Sequence, residues 1–514
     1  MGFRDSPLKR GLLKEKKGSI VPKDFNRRAL LKACAAGAAM SVVGVRSGAA
    51  ETAAGTFRLT RDIPVEDGYD LVVAGGGPAG AAAAISAARL GAKVLLVEAT
   101  GCMGGMGTSG LVVAFDPMSD GKRPLVGGFM NEVVTTLFKR GFLGPQVTPK
   151  FWEASFMTWT PFNVEGYKLV LDEFAIAAKV EIRFFTRMID ADVAPDATTL
   201  RGIVLHNIEG YRYIRAKTFI DATGDGVLAN LCGVKCREAG KDTPHIMPAT
   251  LPMLFAGIDF DKFPKSQEHA YLMKALQDGA FTQQDRHLPG MSQVGDTVGY
   301  LNGGHLYNLN ALRTQSLTDG AMLGRRIAQE YLRFYRKYVP GFEHIELVTT
   351  ASLIGVRESR RIVGEYELRE NDFLARRQFP DQIGVFNKYI DIHPYDDSLA
   401  EWERFEQESS RAGRLNPGEC FGIPYGVLVP KGWKNLWVAG RCASADVKIH
   451  GVIRVQPAAS MMGQAAGTAA IQSVRTGQTA CELDTAALIG TLRDNKAYLP
   501  QDKTSKTMTR TAVA

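Results

Sequence analysis

Apolar, glycine-rich and alanine-rich segments follow one another between positions 69 and 98, which read YDLVVAGGGPAGAAAAISAARLGAKVLLVE. The run Leu71–Val73 is apolar and rich in β-branched residues, and the Ala-rich segment after the glycines has high helix propensity. A second apolar run, Val94–Val97, ends at Glu98. The pattern predicts a strand, a glycine turn, a helix and a second parallel strand, which together form one βαβ unit.

The glycines between the first strand and the helix have the spacing of a dinucleotide-binding turn. Gly75 permits the tight turn, Gly77 lets the backbone approach a pyrophosphate at the helix N-terminus, and Gly80 lets the helix lie close to the strand. Glu98 stands where a ribose hydroxyl would be held. A GxGxxG motif alone is weak evidence, but the strand, helix and acid around it favour dinucleotide binding over a tight turn in another α/β protein.

Periodic segments elsewhere predict more elements of a mixed α/β protein. The predicted elements are a helix over Glu165–Ala178, strands over Val180–Phe185, Gly202–His206 and Tyr211–Ile214, a buried strand and glycine turn over Thr218–Gly226, a helix over Gly320–Tyr338, a buried strand over Asn435–Ala439, and a helix that begins near Pro457. Residues 245–345 carry no motif that can be assigned. They are therefore placed in a substrate-side domain by elimination.

The positive charge of the chain lies at its front end. The 514 residues include 62 Lys and Arg against 54 Asp and Glu, but residues 1–50 hold 11 and 3 of these, which leaves 51 of each for the rest. The body of the protein is therefore neutral, and its charge gives no support to a nucleic-acid-binding function.

The first 54 residues have the order basic, apolar, small that is typical of an export signal. Arg27 and Arg28 precede leucines and Lys32, which resembles a twin-arginine leader; the alternative is a basic N-terminal arm. The weakly apolar run Ala33–Val45 is too short to span a bilayer about 30 Å thick. We therefore expect a periplasmic or secreted protein, exported in folded form, with no transmembrane helix in the mature chain.

Several classes of site are excluded by their missing motifs. The chain has no CxxC pair, no HExxH among its eight histidines, no GxSxG and no GxxxxGK[ST], so zinc-ribbon, metallopeptidase, serine-hydrolase and P-loop functions are not supported, and no metal site is expected. Cys232 and Cys236 could form a disulfide, but buried free thiols are the simpler interpretation.

Six ordered motifs between residues 68 and 478 resemble the FAD-dependent oxidoreductase family, a bacterial group within the glutathione-reductase-like flavoproteins with two dinucleotide-binding folds. They are GGGPAG with its acid, GGMGTSG, DATGDG, GVRESRRIVGEY, VAGR, and IRVQPAASMMGQAAG. The resemblance implies a Rossmann-like, α/β FAD-binding domain whose parallel sheet carries an antiparallel insert, with an α+β substrate-side domain. The FAD-binding domain would comprise 66–115, 165–245 and 417–478, the substrate or cap domain 116–164 and 246–416, and a C-terminal extension with a disordered tail 479–514.

The same resemblance assigns contacts to FAD. Those on the adenosine and pyrophosphate side are Gly75, Gly77, Pro78, Ala79, Gly80, Glu98 and, through its backbone, Met188. Gly105 and Thr108 would lie toward the ribityl chain and flavin, Gly440 and Arg441 near the pyrophosphate, and Pro457 at the start of the helix that meets the isoalloxazine. Gly224 is also assigned to cofactor binding. Many members of the wider class have Asp where Arg441 stands, which leaves the ribityl contact unassigned.

The chemistry then needs a base and an anion-orienting group beside the flavin. The candidates are His450 and Arg454, just before the last helix, and Arg357 with Glu358. The alternatives are a packing histidine at 450 and an ion-pair network around 357–361.

A second GxGxxG unit is missing, so we expect an FAD-dependent dehydrogenase or oxidase that takes two electrons from a small organic substrate and passes them to a quinone, a carrier protein or oxygen. Alternatives are a fumarate-reductase-like enzyme that reduces an alkene acid, a non-catalytic FAD-binding protein, and a nicotinamide-only dehydrogenase.

Overall fold

A computed structural model describes residues 49–52, 56–411 and 413–500 of the chain. The chain divides into two compact units, residues 1–62 and 63–514. In the first unit, β1 (Ala49–Thr52) and β2 (Thr56–Leu59) form an antiparallel hairpin. The predicted export leader, residues 1–54, falls almost wholly outside the described residues, as does the predicted tail past about Leu499, the end of the C-terminal extension 479–514.

The second unit contains both sheets and helices. Its strands are β3 (Val65–Ala74), β4 (Val94–Val97), β5 (Ala114–Phe115), β6 (Thr160–Pro161), β7 (Glu181–Arg183), β8 (Arg187–Val193), β9 (Leu200–Asn207), β10 (Gly210–Asp221), β11 (Cys236–Glu238), β12 (Ala249–Thr250), β13 (Met253–Ala256), β14 (Ser292–Gln293), β15 (Gly299–Leu301), β16 (His305–Leu306), β17 (Glu346–Thr350), β18 (Arg360–Ile362), β19 (Gln382–Phe386), β20 (Phe421–Pro424) and β21 (Leu436–Val438).

Its helices are α1 (Pro78–Arg89), α2 (Gly128–Lys139), α3 (Lys150–Glu153), α4 (Val164–Ala178), α5 (Val227–Leu231), α6 (Glu268–Gln277), α7 (Thr314–Tyr338), α8 (Glu370–Leu374), α9 (Leu399–Arg411), α10 (Val447–Ile453), α11 (Gln456–Thr476) and α12 (Thr485–Asp494). Four short 3₁₀ turns cover Gly105–Gly107, Lys265–Gln267, Tyr425–Leu428 and Ala480–Glu482. In the part of the chain that the structure describes, we find no helix with both the length and the apolar character that a membrane crossing requires.

The main sheet has a parallel half and an antiparallel half. Strands β7, β4, β3, β10 and β21 lie side by side in that order and all pair in parallel. On the edge of β10 away from β3, the end of the strand pairs with β21, whereas its first half pairs with β9, which pairs with β8; these last two pairings are antiparallel. This arrangement confirms the predicted parallel sheet with an antiparallel insert. One expectation differs: segments 211–214 and 218–221, predicted as separate strands, belong to the single strand β10.

Strand β3 separates two hydrophobic cores because its side chains alternate between the faces of the sheet. Leu71 and Val73 pack with the alanines of α1 on one face. Val72 and Ala74 pack on the other face with residues of β9. The apolar run is therefore continuous because this strand is buried on both sides.

Helix α11 packs on α1 with almost no space between the two backbones. A Cβ built on Gly463 would lie 2.0 Å from the carbonyl oxygen of Ala79, and one on Gly467 would lie 2.3 Å from that of Ala83. Since Gly463 contacts Ala79 and Gly467 contacts Ala83, the two helices run in the same direction. Their N-termini therefore lie at the same edge of the sheet.

A second sheet lies in the region that the sequence left without a motif. Strands β14, β15, β13 and β17 form a four-stranded antiparallel sheet. The amphipathic helix α7 contributes Tyr331, Phe334 and Tyr335 to the core beside it. The helix begins six residues earlier than the prediction. The assignment of this region to a substrate-side domain stays a prediction.

Candidate cofactor and substrate site

A cavity of about 1060 Å³ opens at the carboxyl ends of the parallel strands. Its lining includes Ala74 at the end of β3, Val97 at the end of β4, Ala222 just after β10 and Ala439 just after β21. Ligands of open α/β sheets bind at this edge because loops and helix N-termini meet there.

Two helix N-termini at this cavity have no side-chain cap. Gly77 precedes α1 and Val455 precedes α11, and neither position has a side-chain hydrogen bond to the first turn. Both residues line the cavity. The free backbone N–H groups and the helix dipoles therefore give this wall a partial positive charge that suits an anion.

The backbone around Gly77 leaves room for such an anion. A Cβ built on Gly77 would have no neighbour closer than 4.0 Å. By contrast, Gly75 has a φ of +93°, and a Cβ there would lie 2.6 Å from the carbonyl oxygen of Ala222. Gly75 therefore allows the turn, whereas the space beside Gly77 belongs to the cavity.

Glu98 is held at the cavity edge by two backbone donors. The Gly76 N–H donates to Oε2 at 2.6 Å, and the Thr100 N–H donates to Oε1 at 2.7 Å. Each carboxylate oxygen keeps a free lone pair, so the group can still accept a hydrogen bond from a hydroxyl in the cavity.

Most of the predicted site residues line this one cavity. They are Gly75, Gly77, Pro78, Ala79, Glu98, Gly105, Met188, Gly224, Gly440 and Arg441 from the cofactor set, and Arg357 and Arg454 from the catalytic set.

Three predicted cofactor residues lie behind the lining. A Cβ on Gly80 would lie 1.8 Å from the Gly75 carbonyl oxygen, so Gly80 serves the helix–strand contact. The Thr108 hydroxyl donates to the Met103 carbonyl at 2.7 Å and shapes the glycine loop. Pro457 is buried in the first turn of α11.

His450 also lies outside the cavity lining. The ring is 1% exposed, and Nε2 lies 2.9 Å from the carbonyl oxygen of Arg357. Burial, followed by Arg361, holds the pKa of His450 well below its usual range. The structure therefore places a neutral, hydrogen-bonded imidazole there, which agrees with the packing alternative better than with a base in contact with substrate.

Arg441 connects the glycine turn after β21 with the glycine turn after β10, and its guanidinium does not project freely into the cavity. Its guanidinium donates to the Gly224 carbonyl at 2.9 Å and also contacts the Asp225 carboxylate and the Val356 carbonyl. Side-chain bonds of this kind hold the loops in register across the cavity mouth.

Arg357 differs from its neighbours in the same motif. Arg360 pairs with Glu238 and Arg361 pairs with Asp242, as an ion-pair network would require. Arg357 is 6% exposed, yet among the described residues it has no carboxylate within ion-pair distance, and Nη1 donates to the Pro248 carbonyl at 2.6 Å. Burial and then Arg454 lower the pKa of Arg357 to about 10, so the group is still a cation at neutral pH.

Residues that carried no sequence motif complete the same wall. Lys388, 1% exposed, lies 2.9 Å from an Asp116 carboxylate oxygen and 3.4 Å from one of Asp391. A guanidinium nitrogen of Arg454 lies 3.1 Å from a carboxylate oxygen of Asp391, so Asp391 pairs with both cations. Burial alone would lower the pKa of Lys388, but Asp116 and Asp391 outweigh it and raise that pKa.

Three histidines meet beside these ion pairs. One ring nitrogen from each of His287, His305 and His393 lies within 4.8 Å of the nitrogens from the other two. His305 Nε2 is 3.1 Å from His393 Nδ1, while the two outer nitrogens face Asp285 at 3.1 Å and Asp391 at 3.4 Å. Burial, then His305, lowers the pKa of His287 to about 3, and burial also lowers the pKa values of His305 and His393.

A family model described as FAD dependent oxidoreductase matches residues 70–492 of this chain. This chain belongs to the FAD-dependent oxidoreductase family. It is 31% identical over 138 residues to the dihydrolipoyl dehydrogenase of Trypanosoma brucei brucei, a match that covers 21% of this chain. This FAD-dependent oxidoreductase thus spans 28% of the length of that curated relative.

Two solved structures that are similar to this chain have low sequence identity to it. A geranylgeranyl bacteriochlorophyll reductase-like protein from Thermoplasma acidophilum is 14% identical, with a TM-score of 0.44 over 84% of this chain and 83% of that chain. The flavin-dependent brominase Bmp2 is 13% identical, with a TM-score of 0.43 and the same coverage. The reaction of this FAD-dependent oxidoreductase therefore has to be argued from its own residues.

The described residues fit the cofactor of the family. Two uncapped helix N-termini and the open space beside Gly77 suit a diphosphate, and Glu98 suits a ribose hydroxyl. The cavity continues from that end to Arg357 and Lys388. A dinucleotide and a small second molecule can therefore share it.

The sequence analysis missed Lys388, Asp391 and the three histidines. One local signal was available, because polar residues interrupt the apolar stretch KYIDIH at 388, 391 and 393. The histidines themselves come from separate segments, and their meeting is a property of the tertiary fold.

Proposed function

We propose that this FAD-dependent oxidoreductase is a dehydrogenase or oxidase that takes two electrons from a small organic anion. The observation that carries the proposal is the buried guanidinium of Arg357, which faces the cavity without a carboxylate partner among the described residues. A buried charge is costly unless it is paired, and an anionic substrate supplies the missing partner.

Arg357 differs from Lys388 and Arg454 in the same wall, because those two cations form ion pairs. Lys388 and Arg454 are also buried or nearly so, but both contact Asp391, and Lys388 contacts Asp116 as well. Their charges are therefore already compensated inside the protein. The planar, multidonor guanidinium of Arg357 suits a carboxylate, which can accept two hydrogen bonds side by side.

Bound FAD supplies a two-electron acceptor. The N-terminus of α11 presents its uncapped N–H groups toward the cavity and stabilises negative charge there. Arg357 holds the substrate anion, and the Lys388–Asp391–Arg454 ion pairs keep the wall around it rigid. The roles of Arg454 and His450 as catalytic groups stay predictions.

The electron acceptor belongs to the same proposal. Because no second GxGxxG unit is present in the sequence, we expect a quinone, a carrier protein or oxygen rather than a nicotinamide. Export by a twin-arginine route is also part of the proposal, and replacing Arg27 and Arg28 with Lys should keep an otherwise intact protein in the cytoplasm.

The test is anaerobic reduction of the purified holoenzyme, read as loss of flavin absorbance near 450 nm. Small 2-hydroxy acids, amino acids and other carboxylates are compared with the matching neutral amides. A carboxylate should bleach the flavin, and its amide should not. Equal bleaching by neutral compounds would contradict the anion site.

Variants connect the result to Arg357. Arg357→Met should raise the substrate concentration for half-maximal bleaching at least tenfold. Arg357→Lys should give a half-maximal concentration between those of Arg357→Met and wild type. Arg325→Met, on the exposed face of α7, is the matched control and should behave as wild type. If no compound bleaches the flavin, the non-catalytic alternative holds; if an alkene acid reoxidises reduced enzyme instead, the fumarate-reductase-like alternative holds.

A further inference from the structure

The histidines at 287, 305 and 393 form a compact group on the substrate side of the cavity, called here the three-histidine group. His305 is fully buried, whereas His287 and His393 both line the cavity. We infer that the three-histidine group binds a divalent transition-metal ion. The inference rests on the geometry of the group and does not depend on the proposed substrate.

The hydrogen atoms available to the group are fewer than its contacts. Asp285, His305, His393 and Asp391 form a chain with three close contacts: carboxylate to ring, ring to ring, and ring to carboxylate. Two neutral imidazoles carry only two N–H hydrogens between them, and an ionised carboxylate carries none. One of the three contacts therefore joins two lone pairs unless a further cation lies there or the Tyr307 hydroxyl, 3.3 Å from His305 Nδ1, donates to that ring.

A place for that cation lies between the rings. If both N–H groups point outward to the carboxylates, the lone pairs of His305 Nε2 and His393 Nδ1 face each other at 3.1 Å. His287 Nδ1 is buried and has no hydrogen-bond partner among the described residues, and one ring nitrogen of His287 lies within 4.8 Å of the ligand nitrogens of the other two rings. Three imidazoles grouped in this way supply the donor set of a transition-metal site.

The distances agree with coordination. Two nitrogens bound tetrahedrally at about 2.05 Å lie about 3.3 Å apart, close to the 3.1 Å between His305 and His393. One ring nitrogen of His287 lies within 4.8 Å of the ligand nitrogens of His305 and His393. Because the His287 ring stacks on His305 with ring centres 4.5 Å apart, it must rotate toward the other two nitrogens to complete the set.

A metal-binding histidine usually hydrogen-bonds a carboxylate or carbonyl through its other ring nitrogen, and carboxylates lie in that position here. Asp285 bonds the far nitrogen of His305 and also accepts the His305 backbone N–H at 2.8 Å. Asp391 faces the far nitrogen of His393. Carboxylates in this position fix the ring orientation and offset the charge of the ion.

Three protein ligands leave at least one position open to the cavity, because His287 and His393 both line it. Open three-ligand sites are typical of reactive metal centres, whereas purely structural sites are closed by a fourth side chain. Zn²⁺, Co²⁺ or Fe²⁺ suits three imidazoles, and Mg²⁺ and Ca²⁺ prefer oxygen ligands.

The experiment measures metal content of the flavin-loaded full chain, without any substrate. The protein is stripped with a chelator, dialysed against Zn²⁺ or Co²⁺ and then against metal-free buffer, and its metal is counted by mass spectrometry. Wild type should retain one equivalent, and the Co²⁺ form should show visible ligand-field bands. His287→Ala and His393→Ala should retain at least tenfold less.

His206→Ala, at an exposed position on β9, is the control and should retain as much metal as wild type. Flavin content verifies that each variant is folded, and His287→Ala alone suffices if His393→Ala does not fold. The inference is overturned if wild type retains no metal, as expected if the extra cation is a proton, or if the cavity variants retain as much as wild type. Failure of the bleaching test above leaves this readout unaffected, so the two proposals fail separately.

Discussion

Gly463 lies directly against Ala79, with the position of a Cβ on Gly463 only 2.0 Å from the Ala79 carbonyl oxygen. No side chain can occupy that position unless α1 and α11 move apart. Because the N-termini of both helices line the cavity, the separation of these helices also sets the width of the proposed diphosphate site.

Gly463→Ala should therefore destabilise the protein and weaken FAD binding together. Overpacking usually costs about 1–3 kcal/mol, and a clash with backbone should reach the upper part of that range. Urea unfolding and flavin content measure the two effects. Gly490→Ala on α12 is the control, since a Cβ there has nothing within 4 Å and alanine favours a helix by about 0.5–1 kcal/mol.

Gly77 and Gly80 should respond differently to the same substitution. Gly77→Ala meets no protein atom closer than 4.0 Å, so the apoprotein should unfold at the wild-type urea concentration while FAD affinity falls at least tenfold. Gly80→Ala meets the Gly75 carbonyl at 1.8 Å, so the apoprotein itself should be destabilised. Flavin titration of the two apoproteins separates the effects, and equal stability losses would contradict the assignment.

Glu268 should make stability depend on pH. Burial raises the pKa of Glu268 above its ordinary 4.5, although Tyr335 Oη at 2.5 Å and the Met291 N–H at 2.8 Å donate to the same carboxylate oxygen. A raised pKa means that the stabilisation is fully present below pH 4.5 and is lost as pH rises through the folded-state value. Glu268→Gln should therefore gain stability relative to wild type between pH 4.5 and pH 8 in urea unfolding, and parallel pH profiles would contradict this.

Cys232 and Cys236 should be unreactive free thiols in the folded protein. All six cysteines of the described residues are free, which agrees with the simpler interpretation of this pair. Burial, followed by Asp221, raises the pKa of Cys232 to about 12 and that of Cys236 to about 11, so little thiolate is present at pH 8. Iodoacetamide should label both only after unfolding, as read by peptide mass spectrometry; a mass change on reduction would instead reveal a disulfide.

Local sequence predicted the cofactor side of the cavity because its signals are short-range. The glycines at 75, 77 and 80 and the acid at 98 belong to one βαβ unit, where each residue type has a fixed geometric reason. The antiparallel insert before the DATGDG turn was implied by the family resemblance, and the structure confirms it.

The part of the cavity around Lys388 and the three histidines was not predictable in the same way. His305 and His393 are 88 residues apart, and Lys388 meets Asp116 from yet another part of the chain. The spacing of such residues in the sequence does not predict that they are in contact, because the folding of the segments between them decides which side chains meet. His450 lies beside the predicted site in the sequence, but its ring bonds the Arg357 carbonyl behind the cavity lining, and its catalytic role stays a prediction.

The bonds of Arg441 to the turn after β10 have a consequence for biosynthesis. Arg441 and Gly224 are 217 residues apart, and β21 completes the parallel sheet only when it pairs with β10. A growing chain on the ribosome therefore carries an open sheet edge until β21 has emerged. Capture of FAD should follow the emergence of β21 and α11, and chains truncated before β21 should be prone to aggregation and to digestion by proteases.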